Sequence, residues 1–251
     1  MNDIVQMTAS PDFPTKRIPG WFFLNTWLQK ALETRIHLEI YQDFEQQREA
    51  IQSGRVDIIY ANPFDAAMLV REQNFVPLVR PSGRSDECIV AVAAQSPIQA
   101  VEDLKPGCRL VRTADPDVNL VGMILLEPAD LHEGNVKVEQ VESYPLVAKA
   151  LLRGNADVGF FLEESYDELT GLVRNEMRPL VRSQIFDIWH VLLVGPRLSE
   201  RHEEIRQVLL GMANDPSGAD ILKELGFSSW ENVEHEDTEF MIDLMDTLKI
   251  S

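Results

Sequence analysis

The sequence predicts an α/β protein with two similar lobes, each built on a mostly parallel sheet flanked by helices. Predicted strands alternate with predicted helices along most of the chain, and one ten-residue pattern occurs twice. The two copies are residues 50–59 (AIQSGRVDII) and residues 150–159 (ALLRGNADVG). Each copy reads as the end of a helix, a glycine, and an aspartate that precedes a buried strand. Glycine suits such a helix end because the left-handed conformation costs it nothing sterically.

The individual elements follow from apolar spacing and from residues that begin or end helices. Leu24, Leu28 and Ala31 recur at helical spacing, whereas Ile36 and Leu38 alternate as in a strand with one covered face. Asp43 and Gly54 are typical of the start and the end of the helix between them. The remainder of the chain after the last predicted strand is predicted to be helical. The predicted strands are 4–8, 35–41, 56–61, 75–79, 88–94, 109–113, 136–141, 157–162, 177–182 and 188–194, and the predicted helices include 21–32, 43–53, 96–104 and 143–153.

Composition excludes several classes of protein. The chain has 251 residues, 45% of them hydrophobic, which is ordinary for a globular protein, and its formal net charge is −18. That charge, with no basic cluster to offset it, argues against a nucleic-acid partner. No run approaches the ~18 apolar residues of a membrane span, so no direct membrane insertion is expected. No export signal precedes the strand expected to begin at Ile4, which indicates a cytoplasmic protein if Met1 is the native start. Cys88 and Cys108 are expected to be free thiols, although their pairing stays open.

Several loops follow the carboxyl ends of predicted strands, where ligands bind in open α/β sheets. These loops are 9–13, 62–65, 115–119, 142–144 and 162–166. Asn62, Asp115 and Asn119 suit either a helix cap or a ligand contact, and both interpretations stay open. The aromatic residues Trp21, Phe22, Phe23 and Trp27 are expected to be core, with a place in the cleft left open for Trp21 alone. Trp189 and His190 are expected to pack in a crossover strand.

Three segments carry a resemblance to a known family. Residues 52–64 (QSGRVDIIYANPF), residues 96–107 (SPIQAVEDLKPG) and the repeat around Gly154 and Asp157 resemble the phosphate/phosphonate-type (PhnD-like) solute-binding proteins of ABC transporters. That resemblance implies the type 2 periplasmic binding protein fold, with two crossover hinge segments and lobes at 1–87 with 190–251 and at 88–189. It also implies a periplasmic location if an export signal was removed, and an ABC permease in the membrane as a partner.

The sequence departs from this family in two loops. Where phosphonate binders carry a Ser-Thr-Ser-Gly run, this chain has Asp115, Asp117 and Asn119, and carboxylates at a helix start disfavour an anion. A second loop, around Ser85, lacks the family's tyrosine. In the resembling family, a carboxylate near Glu163 contacts an amino group on some ligands. We therefore expect an amine-bearing ligand to bind better than inorganic phosphate. The candidate ligand-binding residues are Ser10, Asn62, Pro63, Phe64, Ser85, Asp115, Asn119, Tyr144, Glu163 and Glu164.

No catalytic or metal-binding pattern stands out. The five histidines have no metal-ligand spacing, and no phosphate-binding loop, nucleophile elbow or dinucleotide fingerprint occurs, so neither an enzyme activity nor a cofactor is expected. The principal hypothesis is a solute-binding protein that closes two lobes around a small polar ligand. Two alternatives stay open: a cytosolic enzyme on the same fold, similar to the chorismate dehydratases of menaquinone synthesis, and an intracellular ligand-sensing module.

Overall fold

The computed structural model describes residues 4–250, and it confirms the mixed α/β class. The expectation about the start of the chain falls on residues 1–3, which lie outside this range. The strands are β1 (Val5–Ala9), β2 (Ile36–Leu38), β3 (Ile58–Ala61), β4 (Val76–Pro81), β5 (Cys88–Ala93), β6 (Arg109–Arg112), β7 (Lys137–Gln140), β8 (Val158–Leu162), β9 (Met177–Arg182), β10 (Val191–Val194) and β11 (Trp230–Asn232). The helices are α1 (Ile18–Ala31), α2 (Phe44–Gln52), α3 (Pro63–Gln73), α4 (Pro116–Leu125), α5 (Tyr144–Leu152), α6 (Glu163–Asp167), α7 (Gly171–Asn175), α8 (His202–Gly211), α9 (Pro216–Leu225) and α10 (His235–Ile250).

The described chain folds into two compact units. Unit 1 comprises residues 4–84 and 189–245, and unit 2 comprises residues 85–188 with 246–250. That the two predicted lobes move as bodies stays a prediction.

Unit 1 is built on a sheet with the strand order β11-β4-β10-β3-β1-β2 in the described residues. Strands β1 to β4 run in one direction, and β10, inserted between β3 and β4, runs against both. Side chains alternate between the faces of β3: Ile58 and Tyr60 join the core beneath α1, α8 and α9, while Ile59 and Ala61 join the core beneath α3 and α10. Both faces of this sheet are therefore covered by helices.

Unit 2 is built on a sheet with the order β7-β6-β8-β5-β9. Strand β5 is inserted between β8 and β9 and runs antiparallel to both. Each sheet thus has one inserted strand of reversed direction, and in each unit this is the first strand after the chain arrives from the other unit. The remaining strands of this sheet share one direction. Each sheet is therefore parallel apart from its inserted strand and, in unit 1, the edge strand β11, which runs antiparallel to β4.

Several elements differ from the sequence-based expectation, among them α6, which occupies most of the expected loop 162–166. The expected helix 96–104 is a single 3₁₀ turn, Val101–Asp103. Asp103 Oδ2 accepts hydrogen bonds from the Gln99 and Ala100 amides at 2.8 and 3.0 Å, which caps the turn at Ala100, so the helical segment begins there and not at residue 96. The last expected strand begins at Val191 rather than at residue 188. Strand β11 lies in a part of the chain that was predicted to be helical, and it adds to the sheet edge beside β4.

Candidate functional site

The repeated aspartates bind the amino ends of strands. Asp57 Oδ2 accepts a hydrogen bond from the Gln6 amide at 2.7 Å, and Asp157 Oδ2 accepts one from the Arg109 amide at 2.8 Å. In return, the amide of each aspartate donates to the carbonyl of the same partner residue. The repeat therefore joins two neighbouring parallel strands in each unit. Because it does so at their amino ends, the candidate ligand residues lie at the opposite, carboxyl edge of each sheet.

In unit 1, Asn62 joins two loops at that edge. Its Oδ1 accepts the Asp65 amide at 2.7 Å and so caps α3, while its Nδ2 donates to Ser10 Oγ at 3.2 Å and to Asp65 Oδ2 at 3.0 Å. Ser10 and Asn62 are fully buried. The structure thus brings these two candidates together, with the Asn62 amide engaged in internal hydrogen bonds. That either residue contacts a ligand stays a prediction.

Phe64 and Pro63 occupy the first turn of α3 beside a part-buried ion pair. Pro63 is buried as the first helical residue, where its missing N–H costs nothing, and Phe64 is partly exposed. Arg48 binds Asp65 with Nε 2.5 Å from Oδ1, and its guanidinium lies 5.0 Å from the centre of the Phe64 ring. Asp65 and Arg48 were missed as candidates by sequence reasoning, because nothing in the spacing of α2 and α3 indicates that they meet.

A second polar pair in unit 1 involves the crossover residue His190. Its Nε2 lies 2.9 Å from Asp12 Oδ2, which also accepts a hydrogen bond from Ser10 Oγ at 3.0 Å. The imidazole stacks on the ring of Tyr60 with 5.1 Å between ring centres. Both members of this pair are almost fully buried. A hydrogen-bonded chain therefore runs from the crossover through the loop after β1 to Asn62. The sequence indicated part of this chain, because the loop 9–13 was among the loops expected at the carboxyl ends of strands.

Trp21 belongs to an aromatic cluster around Tyr60. The centre of its ring lies 5.0 Å from that of Tyr60, and Phe227 and Trp230 pack against the same tyrosine. The exposed fraction of Trp21 is 1%. Trp21 is therefore a core residue of unit 1, whereas Phe22 and Phe23, which were expected to be core as well, are 48% and 51% exposed because they lie on the outer face of α1.

In unit 2, the Asp115 carboxylate accepts three hydrogen bonds. Its Oδ1 lies 3.2 Å from the amides of Asp117 and Val118 in the first turn of α4, and its Oδ2 accepts the Tyr144 hydroxyl at 2.7 Å. Asp115 is 3% exposed and Tyr144 7% exposed. The structure therefore joins two predicted site residues from different loops, after β6 and after β7.

The first turn of α4 carries further hydrogen-bond acceptors beside Asp115. Asp117 is buried, and Asn119 donates from Nδ2 to the Thr113 carbonyl at 3.0 Å. The other amide atom of Asn119, Oδ1, is buried and accepts no hydrogen bond from the described residues. The start of α4 therefore presents carboxylate and carbonyl oxygens, which favour a hydrogen-bond donor over an anion.

The carboxylates after β8 have different surroundings. Glu163 Oε1 accepts a hydrogen bond from Arg182 at 2.6 Å, and the Arg182 guanidinium also lies 5.6 Å from the centre of the Tyr166 ring. Burial raises the pKa of Tyr166, an effect that Arg182 partly opposes. Glu164 is half-buried in the same first turn of α6. Part of the negative charge expected from this loop is thus balanced by an arginine.

Ser85 lies at the start of unit 2 beside the buried carboxylate of Glu87. Burial alone would raise the pKa of Glu87, but hydrogen bonds from Ser183, from the Phe186 and Ile185 amides and from Ser85 together hold it below its ordinary value. Glu87 thus fastens the loop after β9 to the start of β5. Ser85 therefore has a role in this connection, and its contact with a ligand stays a prediction.

Other kinds of site have no support within residues 4–250. No group of three or more metal-ligating side chains occurs there, and no helix is long and apolar enough to cross a membrane. Both cysteines are free thiols, as expected. Burial raises the pKa of the Cys88 thiol, and the nearby negative charge of Asp115 raises it further.

Known structures share this fold over nearly the whole chain. PhnD1 of Prochlorococcus marinus, in complex with methylphosphonate, matches with a TM-score of 0.84 and 11% identity over 98% of this chain and 98% of that one. XAC2383 of Xanthomonas citri, bound to chloride, matches with a TM-score of 0.82 and 18% identity over 99% and 98%. The aliphatic sulphonate binding protein SsuA of Escherichia coli matches with a TM-score of 0.68 and 16% identity over 99% and 92%. At these identities the similarity shows the fold, which is the type 2 periplasmic binding protein fold that the sequence predicted.

The family itself is shown by a match of the sequence. The family model of periplasmic phosphonate substrate-binding proteins of ABC transporters matches residues 7–238, which include both strand-end regions described above. This match favours a transport protein over the alternative of a cytosolic enzyme or a sensing module. The chain therefore belongs to the family of periplasmic phosphonate substrate-binding proteins of ABC transporters.

Proposed function

We propose that this member of the family binds a small solute that carries a hydrogen-bond donor, above all an amine, and delivers it to an ABC permease. The observation that carries the proposal is the arrangement at the start of α4. There the Asp115 carboxylate already accepts the amides and the hydroxyl that an anionic ligand group would need. A protonated amine would instead find carboxylate oxygens and the buried Asn119 Oδ1 as acceptors.

The proposed mechanism is closure of the two units on the ligand. Contacts that a ligand makes with both units favour the closed state by the difference in its affinity for the two states. Family membership supports this mechanism, since the family consists of substrate-binding proteins of importers. We propose the crossovers at residues 84–85 and 188–189 as the hinge, because the division between the units falls there.

A thermal-shift screen tests the ligand class. The panel contains phosphonates with and without an amino group, amino acids, polyamines, carboxylates and inorganic phosphate, with sulfate at matched ionic strength as the control for general salt effects. A ligand at a hundred times its Kd stabilises the folded state by about 2.7 kcal/mol, which raises the Tm of a protein of this size by several degrees. We expect this shift from an amine-bearing compound. A larger shift from inorganic phosphate or sulfate contradicts the proposal.

Small-angle X-ray scattering of the best compound tests closure. The radius of gyration is expected to decrease on saturation. Saturated protein with an unchanged scattering curve contradicts the closing mechanism and leaves the ligand class intact.

A further inference from the structure

The donors around Asp115 form a set that binds oxyanions in other proteins. Backbone amides at a helix start hold phosphate, sulfate or carboxylate groups, because their N–H bonds point at the ligand and the helix dipole favours negative charge. Here the Asp117 and Val118 amides and the Tyr144 hydroxyl converge from two helices on one carboxylate. The chain thus supplies an anionic group of its own at this place.

The electrostatic surroundings make a second anion costly. Asp115 is 3% exposed, and its charge acts on the buried thiol of Cys88 in strand β5. Like charges repel more strongly where water is excluded, because the effective dielectric constant is lower. An oxyanion at the start of α4 would meet this repulsion and would find the three donors already engaged.

We infer that Asp115 is the specificity-determining residue that excludes oxyanion ligands from the carboxyl edge of the unit 2 sheet. Removal of its carboxylate converts the start of α4 into an oxyanion site formed by the two amides and the Tyr144 hydroxyl. This inference rests on the proposed function, since it concerns the same strand-end region. It goes further in assigning the choice between ligand charges to one side chain.

The test is a gain of binding. Isothermal titration calorimetry with methylphosphonate and with inorganic phosphate compares the wild-type protein with Asp115→Gly, which releases all three donors and costs a helix cap only a few tenths of a kcal/mol. We expect the variant to bind methylphosphonate at least about tenfold more tightly, because it gains hydrogen bonds to a charged group. The Asp117 carboxylate is present in both proteins and cancels in the comparison.

The matched control is Asp215→Gly. Asp215 also caps a helix in front of a proline, accepting the Gly218 amide at 2.9 Å, but it is exposed and lies in unit 1. This control removes one negative charge and one cap without releasing the Tyr144 hydroxyl. Equal gains in both variants mean that net charge alone is responsible, and they overturn the inference.

A further variant tests the contribution of the hydroxyl. Asp115→Gly combined with Tyr144→Phe is expected to lose a large part of the gained affinity, and a double variant that binds as tightly as the single one removes Tyr144 from the site. Circular dichroism checks folding, and if Asp115→Gly unfolds, Asp115→Ser, which keeps a capping oxygen, is measured in its place. Methylphosphonate that binds the folded variant no better than it binds the wild type overturns the inference. A wild type that binds no amine refutes the proposed ligand class but leaves this comparison valid.

Discussion

At the residue scale, two helices, one in each unit, begin on caps of different charge. Asn62 precedes Pro63 at the start of α3, and Asp115 precedes Pro116 at the start of α4. The neutral amide both accepts and donates, so it can join a helix start to the Ser10 hydroxyl. The carboxylate only accepts, so it gathers donors and leaves negative charge at the strand ends. The sequence pattern "strand, Asx, proline" predicts both caps. Only the folded structure shows what the remaining polar atom of each side chain binds, namely Nδ2 of Asn62 and Oδ2 of Asp115.

We predict that Asn62→Ala lowers the free energy of unfolding by about 1–3 kcal/mol, because a buried helix cap is lost and buried partners lose their hydrogen bonds. Asp43→Ala is the matched control, since Asp43 caps α2 through the Gln46 amide at 2.9 Å in an exposed position. It is expected to cost less than Asn62→Ala, on the order of 0.5–1 kcal/mol. Urea unfolding followed by circular dichroism measures both. Equal losses in the two variants contradict the joining role of Asn62.

At the element scale, the helices of unit 2 pack closely on β8 through glycines. The ring of Phe160 lies against Gly122 of α4, where an added Cβ would stand 2.5 Å from Phe160 Cδ2. On the other face of the strand, Gly159 meets Val147 of α5, with an added Cβ 2.8 Å from its Cγ1. These contacts set the height of α4 and α5 above the sheet, and therefore the place where Asp115 and Tyr144 meet.

Gly122→Ala is accordingly expected to destabilise the protein by about 1–3 kcal/mol, because the methyl group overlaps the Phe160 ring. The control is Gly211→Ala at the end of α8, where an added Cβ meets nothing within 4 Å and φ is −75°. Alanine there is expected to be neutral or stabilising by about 0.5–1 kcal/mol, since it has the higher helix propensity. Thermal unfolding distinguishes the two. A harmless Gly122→Ala means that α4 moves away from β8 at little cost.

At the scale of the whole molecule, the chain passes between its units at residues 84–85, 188–189 and 245–246, and Glu87 fastens the unit 2 side of the first two passages. Its carboxylate binds the Ile185 and Phe186 amides at 2.8 to 3.1 Å, and the Asp86 amide donates to the Ile188 carbonyl at 2.7 Å. The connection therefore depends on an ionised buried carboxylate.

This dependence predicts a pH effect on stability. Because the pKa of Glu87 is held below its ordinary value of 4.5, its contribution is fully present above that value and is lost as the pH falls through the lowered pKa. Glu87→Gln is expected to cost about 2 kcal/mol at neutral pH, and the difference from wild type is expected to shrink in acid. Urea unfolding across the acidic range measures it. Glu176→Gln, at an exposed carboxylate, is the control for the removal of one negative charge from unit 2. A difference that stays constant with pH contradicts the role given to Glu87.

The order of strands shows how far prediction from this sequence extends. Every strand of unit 2 was predicted, because most are short apolar runs and each is bounded by a helix or a turn. The insertion of β5 between β8 and β9, and of β10 between β3 and β4, was not predictable from local patterns, because strand neighbours are set by packing across the chain. Strand β11 was missed for a related reason. Its three residues form a strand only because β4 offers an open edge.

By itself, the sequence determined the two-unit α/β architecture, the family and the strand-end loops that hold the candidate residues. These features follow from local signals: the repeated glycine and aspartate, apolar periodicity and helix caps. The tertiary structure alone decided which side chains meet, such as Asn62 with Ser10, Asp65 with Arg48, His190 with Asp12, and Asp115 with Tyr144. The physical reason is that hydrogen bonds and charges act over a few ångströms, whereas these partners lie from 17 to 178 residues apart in the chain. The sequence showed which residues form the start of α4. It did not show that the Asp117 and Val118 amides and the Tyr144 hydroxyl bind the buried carboxylate of Asp115.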